Sequence, residues 1–153
     1  MKREFKGRTV VAGSVQASAV VSKNGMNTLA TFQKSILARK KAVVGSDQNN
    51  ADLYKKEITG KALCLPRTIG STTGGMVLQS AAALGLAPKA MLFSENIDSI
   101  GAAGVILADV WTVNRIVTVD SLGQEFLDYV KDGMTITVKE DGTVLVEQLN
   151  KDN

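Results

Sequence analysis

The chain has 153 residues, 44% hydrophobic, 22% charged and 5% aromatic, with 18 Lys and Arg against 15 Asp and Glu for a net charge of +3. That length and apolar content suit one folded domain with its own core and exclude a disordered chain. The small, dispersed charge excess and the scarcity of aromatics argue against a dedicated nucleic-acid binder. Histidine is absent and Cys64 is the one cysteine. No internal disulfide can form, and the commonest general base and metal ligand are missing. A zinc enzyme built from this chain alone is not expected.

The N-terminus, Met1-Lys2-Arg3-Glu4-Phe5-Lys6, is charged with no apolar stretch behind it, so no signal peptide is expected. Cysteine usage fits a cytoplasmic location. Residues 5–12 predict a first strand, and Val15 to Val21 alternates as a second, broken at Asn24-Gly25. From Asn27 to Lys41, Leu29, Phe32, Ile36 and Leu37 fall at helical spacing. Arg39-Lys40-Lys41 would then suit the negative end of that helix. Ala42 to Val44 is ambiguous, and Gly45 to Asp52 reads as a loop. Lys61 to Leu65 reads as a buried strand, Pro66 to Met76 as a Gly/Ser/Thr loop, and Val77 to Leu84 as a helix stopped by Gly85 and Pro88. Ala90 to Phe93 is another buried strand. Ser94 is placed to cap a short helix over Asn96 to Ala103 that ends at Gly104, and Val105 to Ala108 and Arg115 to Val119 predict two more strands. Ser121 opens a helix that runs to Val130 and ends at Gly133. Residues 134–148 predict a closing hairpin, with Asp141-Gly142 signalling a type I′ turn. Residues 150–153 read as a frayed tail.

The longest uncharged run, Thr68 to Pro88, holds Gly, Ser, Thr and Gln and reads as loop plus buried helix rather than a membrane span. No repeat or linker divides the chain. The whole of 1–153 reads as a single α/β domain with a mixed sheet or partial barrel and short flanking helices.

Chemistry concentrates in the loop. Ser71, Thr72 and Thr73 bring three hydroxyls to one helix N-terminus, where unpaired N–H groups and a partial positive charge suit a carboxylate or phosphate. The plain alternative is a well-capped helix. There is no Walker pattern and no Gly-x-Gly-x-x-Gly. Arg67 on the same loop reads as a clamp for an anion or as a surface charge. Cys64 reads as a buried small hydrophobe, with a thiolate ligand to a cluster shared with another chain as the alternative. Asp109 suits a site at a strand end or a turn. Glu95 and Asp98 read as polar residues at a helix start, and Trp111 as core or interface.

Four ordered segments carry a family resemblance. They are Gly60-Lys61-Ala62-Leu63-Cys64-Leu65-Pro66 followed by Gly70-Ser71-Thr72-Thr73-Gly74; Gly85-x-Ala87-Pro88-Lys89-Ala90; Ile100-Gly101-Ala102-Ala103-Gly104-Val105-Ile106-Leu107-Ala108; and Gly13 with Ala19-x-Val21-Ser22. Together they resemble the small, swivelling domain of the aconitase X family over most of residues 5–120. The stretch 25–52, the C-terminal hairpin and Asp109-Val110-Trp111 depart from the pattern. The resemblance implies a swivelling β/β/α domain that pairs with a large subunit or fused large domain. It implies a hydro-lyase acting on a small anionic hydroxy acid, with cis-3-hydroxy-L-proline as the lead substrate and mevalonate 5-phosphate as the alternative. A non-catalytic binding or regulatory module is the reading from another class. It further implies an iron or iron–sulfur centre held mainly by the large partner, with none bound by this chain alone. In the Gly-Ser loop it implies that Ser71 is the catalytic base, while Arg67, Gly70, Thr72, Thr73 and Gly74 become expected substrate-binding residues.

Overall fold

The computed structural model describes residues 2–148; the expected frayed tail lies outside them. Its sheet is shaped by the N-terminal stretch. β1 (Lys2–Lys6) and β2 (Arg8–Val11) are consecutive and separated only by Gly7, so the one strand expected over 5–12 is two. β1 pairs antiparallel with β10 (Thr143–Glu147), and β2 pairs antiparallel with β8 (Val117–Asp120). Between these edges lie β9 (Thr135–Val138), β3 (Val15–Val21), β5 (Ala62–Leu65) and β7 (Ala90–Phe93), giving the order β1-β10-β9-β3-β5-β7-β8-β2. One stretch of chain thus supplies both edges, and the sheet curls into a partial barrel. β3, β5, β7 and β8 run parallel; the pairings outside them are antiparallel. This is the expected mixed α/β domain.

Alternation along the parallel strands builds two cores. Ala62, Cys64, Ala90, Leu92, Val117 and Val119 point into the barrel with Phe5, Ile136 and Val144. Leu63, Leu65, Met91 and Phe93 point the other way, into a layer with Phe32, Leu78 and Val105. Those last three come from α1 (Thr28–Leu37), α2 (Gly74–Ala83) and α3 (Ser99–Trp111). Both faces being covered explains why β5 and β7 read as unbroken apolar runs. The short α4 (Gln124–Tyr129) adds Phe126 and Leu127 to the barrel core, with Phe126 edge-on to Phe5 at 5.3 Å.

Several expectations are corrected. Val105 to Ala108 is not a strand and Gly104 ends nothing, because α3 runs straight through both. Gly104 is where α2 and α3 touch: a Cβ there would lie 2.6 Å from Leu78 Cδ1 and 2.9 Å from Leu78 Cβ. The glycine marks close packing rather than a stop. Ser94 does not cap α3. Its hydroxyl is buried without a hydrogen-bond partner among the described residues, while Asp98 accepts from Gly101 N–H. α1 ends at Leu37, so Arg39-Lys40-Lys41 lies past it and Lys34 is the cation in its last turn. α4 starts at Gln124, three residues after Ser121. The hairpin turn is not type I′, which requires positive φ at both central residues. Only Gly142 (φ 88) has it, and Gly142 N–H donates to Lys139 O, the pattern of a type I turn followed by a left-handed glycine. α2 does end as expected: Gly85 (φ 72) and Leu86 donate back to Ala82 and Ala81, a Schellman closure.

Cys64 is fully buried in the barrel core, and burial pushes its thiol well above the usual range. Cys64→Ser would place a hydroxyl there and is expected to cost about 1–3 kcal/mol. A urea midpoint equal to wild type would contradict this.

Candidate functional site

The carboxyl ends of β3, β5, β7 and β8 share one edge of the sheet, and in parallel α/β sheets this edge is where ligands bind. Three loops meet there, after β3, β5 and β7. A two-residue ladder ties the first to the second: β4 (Met26–Asn27) runs parallel to β6 (Thr68–Ile69). Asp98 ties the second to the third, accepting from Thr68 N–H at 2.8 Å and from the Thr68 hydroxyl while it caps α3.

Asp120, at the end of β8, holds the third loop from the other side. It is fully buried, accepts from Arg8 Nε at 2.9 Å and again from Arg8 Nη2, and takes Ile97 N–H at 2.7 Å. Burial works to raise its pKa. The hydrogen bonds and charge of Arg8, with the Ile97 N–H and the Ser121 hydroxyl, outweigh it and hold the carboxyl below its ordinary value. The folded group therefore titrates below its unfolded value of about 4. Its contribution to stability is complete above that pH and is lost as pH falls through the folded value. Wild-type Tm is expected to drop as pH falls below 4, and Asp120→Asn to drop less. Parallel Tm–pH curves for the two would contradict the assignment.

On this framework sits the loop 70–73. Gly70 has φ 100, and a Cβ there would fall 2.8 Å from Asn27 Nδ2, so the turn needs glycine twice over. Ser71, Thr72 and Thr73 are exposed. Thr73 N–H donates to Ser71 Oγ at 3.2 Å, and Thr73 Oγ1 lies 3.1 Å from the same oxygen. Ser71 O accepts from Gly74 N–H at 3.0 Å.

α2 begins at Gly74, three residues earlier than the sequence suggests; a Cβ on Gly74 would crowd Ile100 of α3 at 3.1 Å and Thr28 of α1 at 3.2 Å, while one on Gly75 would make ordinary contact with Ala103 at 3.4 Å. Its N-cap is Thr73, whose side chain makes no capping bond. Ser71 lies two residues ahead of the cap, so the well-capped-helix reading does not describe this loop. No hydrogen bond is made by the N–H of Gly75 or Met76 among the described residues. The first turn of α2 keeps free donors and the positive end of its dipole beside an exposed serine.

Ser71, Gly70, Thr72, Thr73 and Gly74 are therefore brought together, and Arg67 is not. Its side chain crosses Gly25 and its Nη1 donates to Glu95 at 2.8 Å, with both side chains half exposed. Asp109 is also removed. It holds Arg115 Nε at 2.7 Å near the far end of α3, beside a cavity lined by Lys89, Val113 and Asn114 at the opposite edge of the sheet. Trp111 is 71% exposed, so it is not core. Around the loop the surface turns apolar. Ile69, Met76 and Leu37 are exposed, and a groove between α1 and α2 lined by Leu29, Ile36, Met76 and Val77 starts at Thr73. Exposed apolar side chains grouped beside a polar loop mark a surface that a partner can cover. Sequence reading missed Asn27 and Asp120, whose roles depend on partners far along the chain.

No group of three or more Cys, Asp or Glu side chains among the described residues could hold a metal ion. With one cysteine, sealed in the barrel, the donor set does not fit an iron–sulfur cluster. No helix among the described residues is long and apolar enough to cross a membrane.

The sequence model of the aconitase X swivel domain matches residues 4–146. The chain belongs to the aconitase X swivel-domain family. Among its relatives, the protein named phosphomevalonate dehydratase small subunit in Thermococcus onnurineus is 30% identical over 146 residues, covering 95% of this chain and 99% of the relative. Another of that name in Methanocella arvoryzae is 29% identical, covering 96% and 99%. The holo-form crystal structure of Thermococcus kodakaraensis aconitase X superposes with a TM-score of 0.79 at 26% identity, covering 95% of this chain and 99% of that one. The barrel-and-helix arrangement is thus the aconitase X swivel fold. None of these names mentions cis-3-hydroxy-L-proline; the two dehydratase names agree with the phosphomevalonate alternative.

Proposed function

We propose that this chain is the small subunit of a two-chain aconitase X-type dehydratase whose substrate is mevalonate 5-phosphate. The observation that carries the reading is the full-length likeness to chains named as small subunits of that enzyme. The site supports it. Dehydration of a hydroxy acid needs a base to remove a proton and an anchor for the anionic group. Ser71 is the base in this reading. A serine is a poor base at its free pKa, so its alkoxide must be stabilised. The Thr73 N–H and hydroxyl stand within reach of Ser71 Oγ, and the α2 dipole adds to them. Gly70 exposes the serine, while Thr72, Thr73 and Gly74 face the anion. Arg67 joins the substrate only by exchanging Glu95 for it.

Hydroxide departure calls for a Lewis acid, which an iron centre supplies when bound. This chain's residues do not fit such a centre, so it is assigned to the large subunit, which docks over the apolar rim. One buried thiol suits a cytoplasmic enzyme.

The test is to purify the chain with the large aconitase X-type subunit and compare kcat/KM on mevalonate 5-phosphate and cis-3-hydroxy-L-proline. A preference for mevalonate 5-phosphate of about 10²-fold or more is expected, since donors placed for its phosphate, the second anionic group, find no partner on the proline, which carries only a carboxylate. Preference for the proline would overturn the substrate. An assembled complex inactive on both would favour the non-catalytic module.

A further inference from the structure

Thr28, the first residue of α1, has a side-chain hydroxyl that is buried and without a hydrogen-bond partner among the described residues; the residue is 1% exposed. A buried hydroxyl left unpaired is costly, and threonine could be replaced by isosteric valine at no loss of packing. The hydroxyl sits against the first turn of α2: a Cβ built on Gly74 would lie 3.7 Å from Thr28 Oγ1 and 3.2 Å from Thr28 Cβ.

Its neighbour Asn27 lies against Gly70. Asn27 Oδ1 caps α1 by accepting from Ala30 N–H at 3.1 Å, which leaves Nδ2 pointing its two hydrogens elsewhere with no bond among the described residues. Two helix N-termini, each with its positive end, therefore meet at the serine loop. The donors left over are Thr28 Oγ1, Asn27 Nδ2 and the N–H groups of Gly75 and Met76. A set of surplus donors with no acceptor is built for an anion.

We propose that the N-terminus of α1 is part of the substrate-anion site. The Asn27 amide and the Thr28 hydroxyl donate to an anionic oxygen, of a phosphate or a carboxylate, seated on the first turn of α2. Because Thr28 is buried against Gly74, the proposal requires that contact to open as the anion enters. This deepens the reading of the loop as a substrate site and rests on it.

The test uses the full chain labelled with ¹⁵N, titrated with inorganic phosphate and, separately, with acetate. Two substitutions separate binding from folding. Thr28→Val removes the hydroxyl at constant shape. Asn27→Asp keeps a good N-cap but replaces the donor with a negative charge. Phosphate or acetate is expected to shift the amides of Gly70, Gly74 and Gly75, and whichever acts names the anion. Both variants should weaken that binding by about tenfold or more, as loss of a charge-assisted hydrogen bond does. Thr28→Val should melt no lower than wild type, because no hydrogen bond of the free chain is lost.

Variants that bind like wild type would overturn the proposal, as would the absence of any shift with either anion. In the complex, KM for mevalonate 5-phosphate should rise with each variant. If the complex does not turn that substrate over, yet the variants still lose anion binding, the assignment of the reaction falls and the α1 contact stands. If the complex is active and the variants match wild type in both assays, the α1 contact alone falls.

Discussion

Ser71→Ala is expected to lower kcat of the assembled complex by about 10²-fold or more, the usual scale for losing a positioned acid–base group. Assembly and KM should stay near wild type. The serine is exposed, and its bonds to Thr73 are local to the loop, so little folding energy rides on it. Had it been the N-cap of α2, its loss would have cost about 0.5–2 kcal/mol of stability. Thr73 occupies that position instead, without a capping bond. The two roles therefore separate in one pair of measurements, kcat and Tm. A variant with near wild-type turnover, or one in which only Tm falls, would move the base to the partner chain.

The second large effect concerns the fold. Gly7→Ala is expected to destabilise the chain by about 3 kcal/mol, at the upper end of the range for overpacking a tight contact. The new Cβ would stand 2.4 Å from Asp120 O, 2.6 Å from Val119 Cγ1 and 2.9 Å from Leu122 Cδ2. The first of these is backbone and cannot swing aside. Gly7 is also where the chain leaves β10 for β8, with its N–H donating to Gly142 O at 3.1 Å, so relief by moving the chain would open the barrel. An unfolding free energy from urea titration within about 0.5 kcal/mol of wild type, the level of an ordinary surface change, would contradict barrel closure at this residue.

The parallel strands were legible in the sequence because their chemistry is local. Ala62 to Leu65 and Ala90 to Phe93 are short apolar runs bounded by turn residues, and β3 alternates. What failed was local chemistry overruled by distant packing. Val105 to Ala108 looks like a strand by composition, but Gly104 resting on Leu78 keeps it in a helix covered by α2. The start of α2 was hidden because Gly74 and Gly75 are poor helix formers by local chemistry, while distant packing sets Gly74 tightly between Ile100 of α3 and Thr28 of α1.

At the site, Ser71 to Gly74 could be read as a run of hydroxyls ahead of a helix. Arg67 shared the loop in sequence, yet Glu95 draws it away. Asn27 and Thr28 looked like an ordinary helix start. Only the meeting of α1 with the serine loop, through Gly70 and Gly74, gives them a place in the site.

The most direct test of the central claim, that this chain is half an enzyme, is to assay mevalonate 5-phosphate dehydration by the purified chain, by the large aconitase X-type subunit, and by the two mixed. The chain alone should be folded and inactive, the large subunit alone inactive, and activity should appear on mixing and saturate as the chain is titrated in. Turnover by the chain without its partner, or equal turnover by the large subunit with and without the chain, would contradict the account.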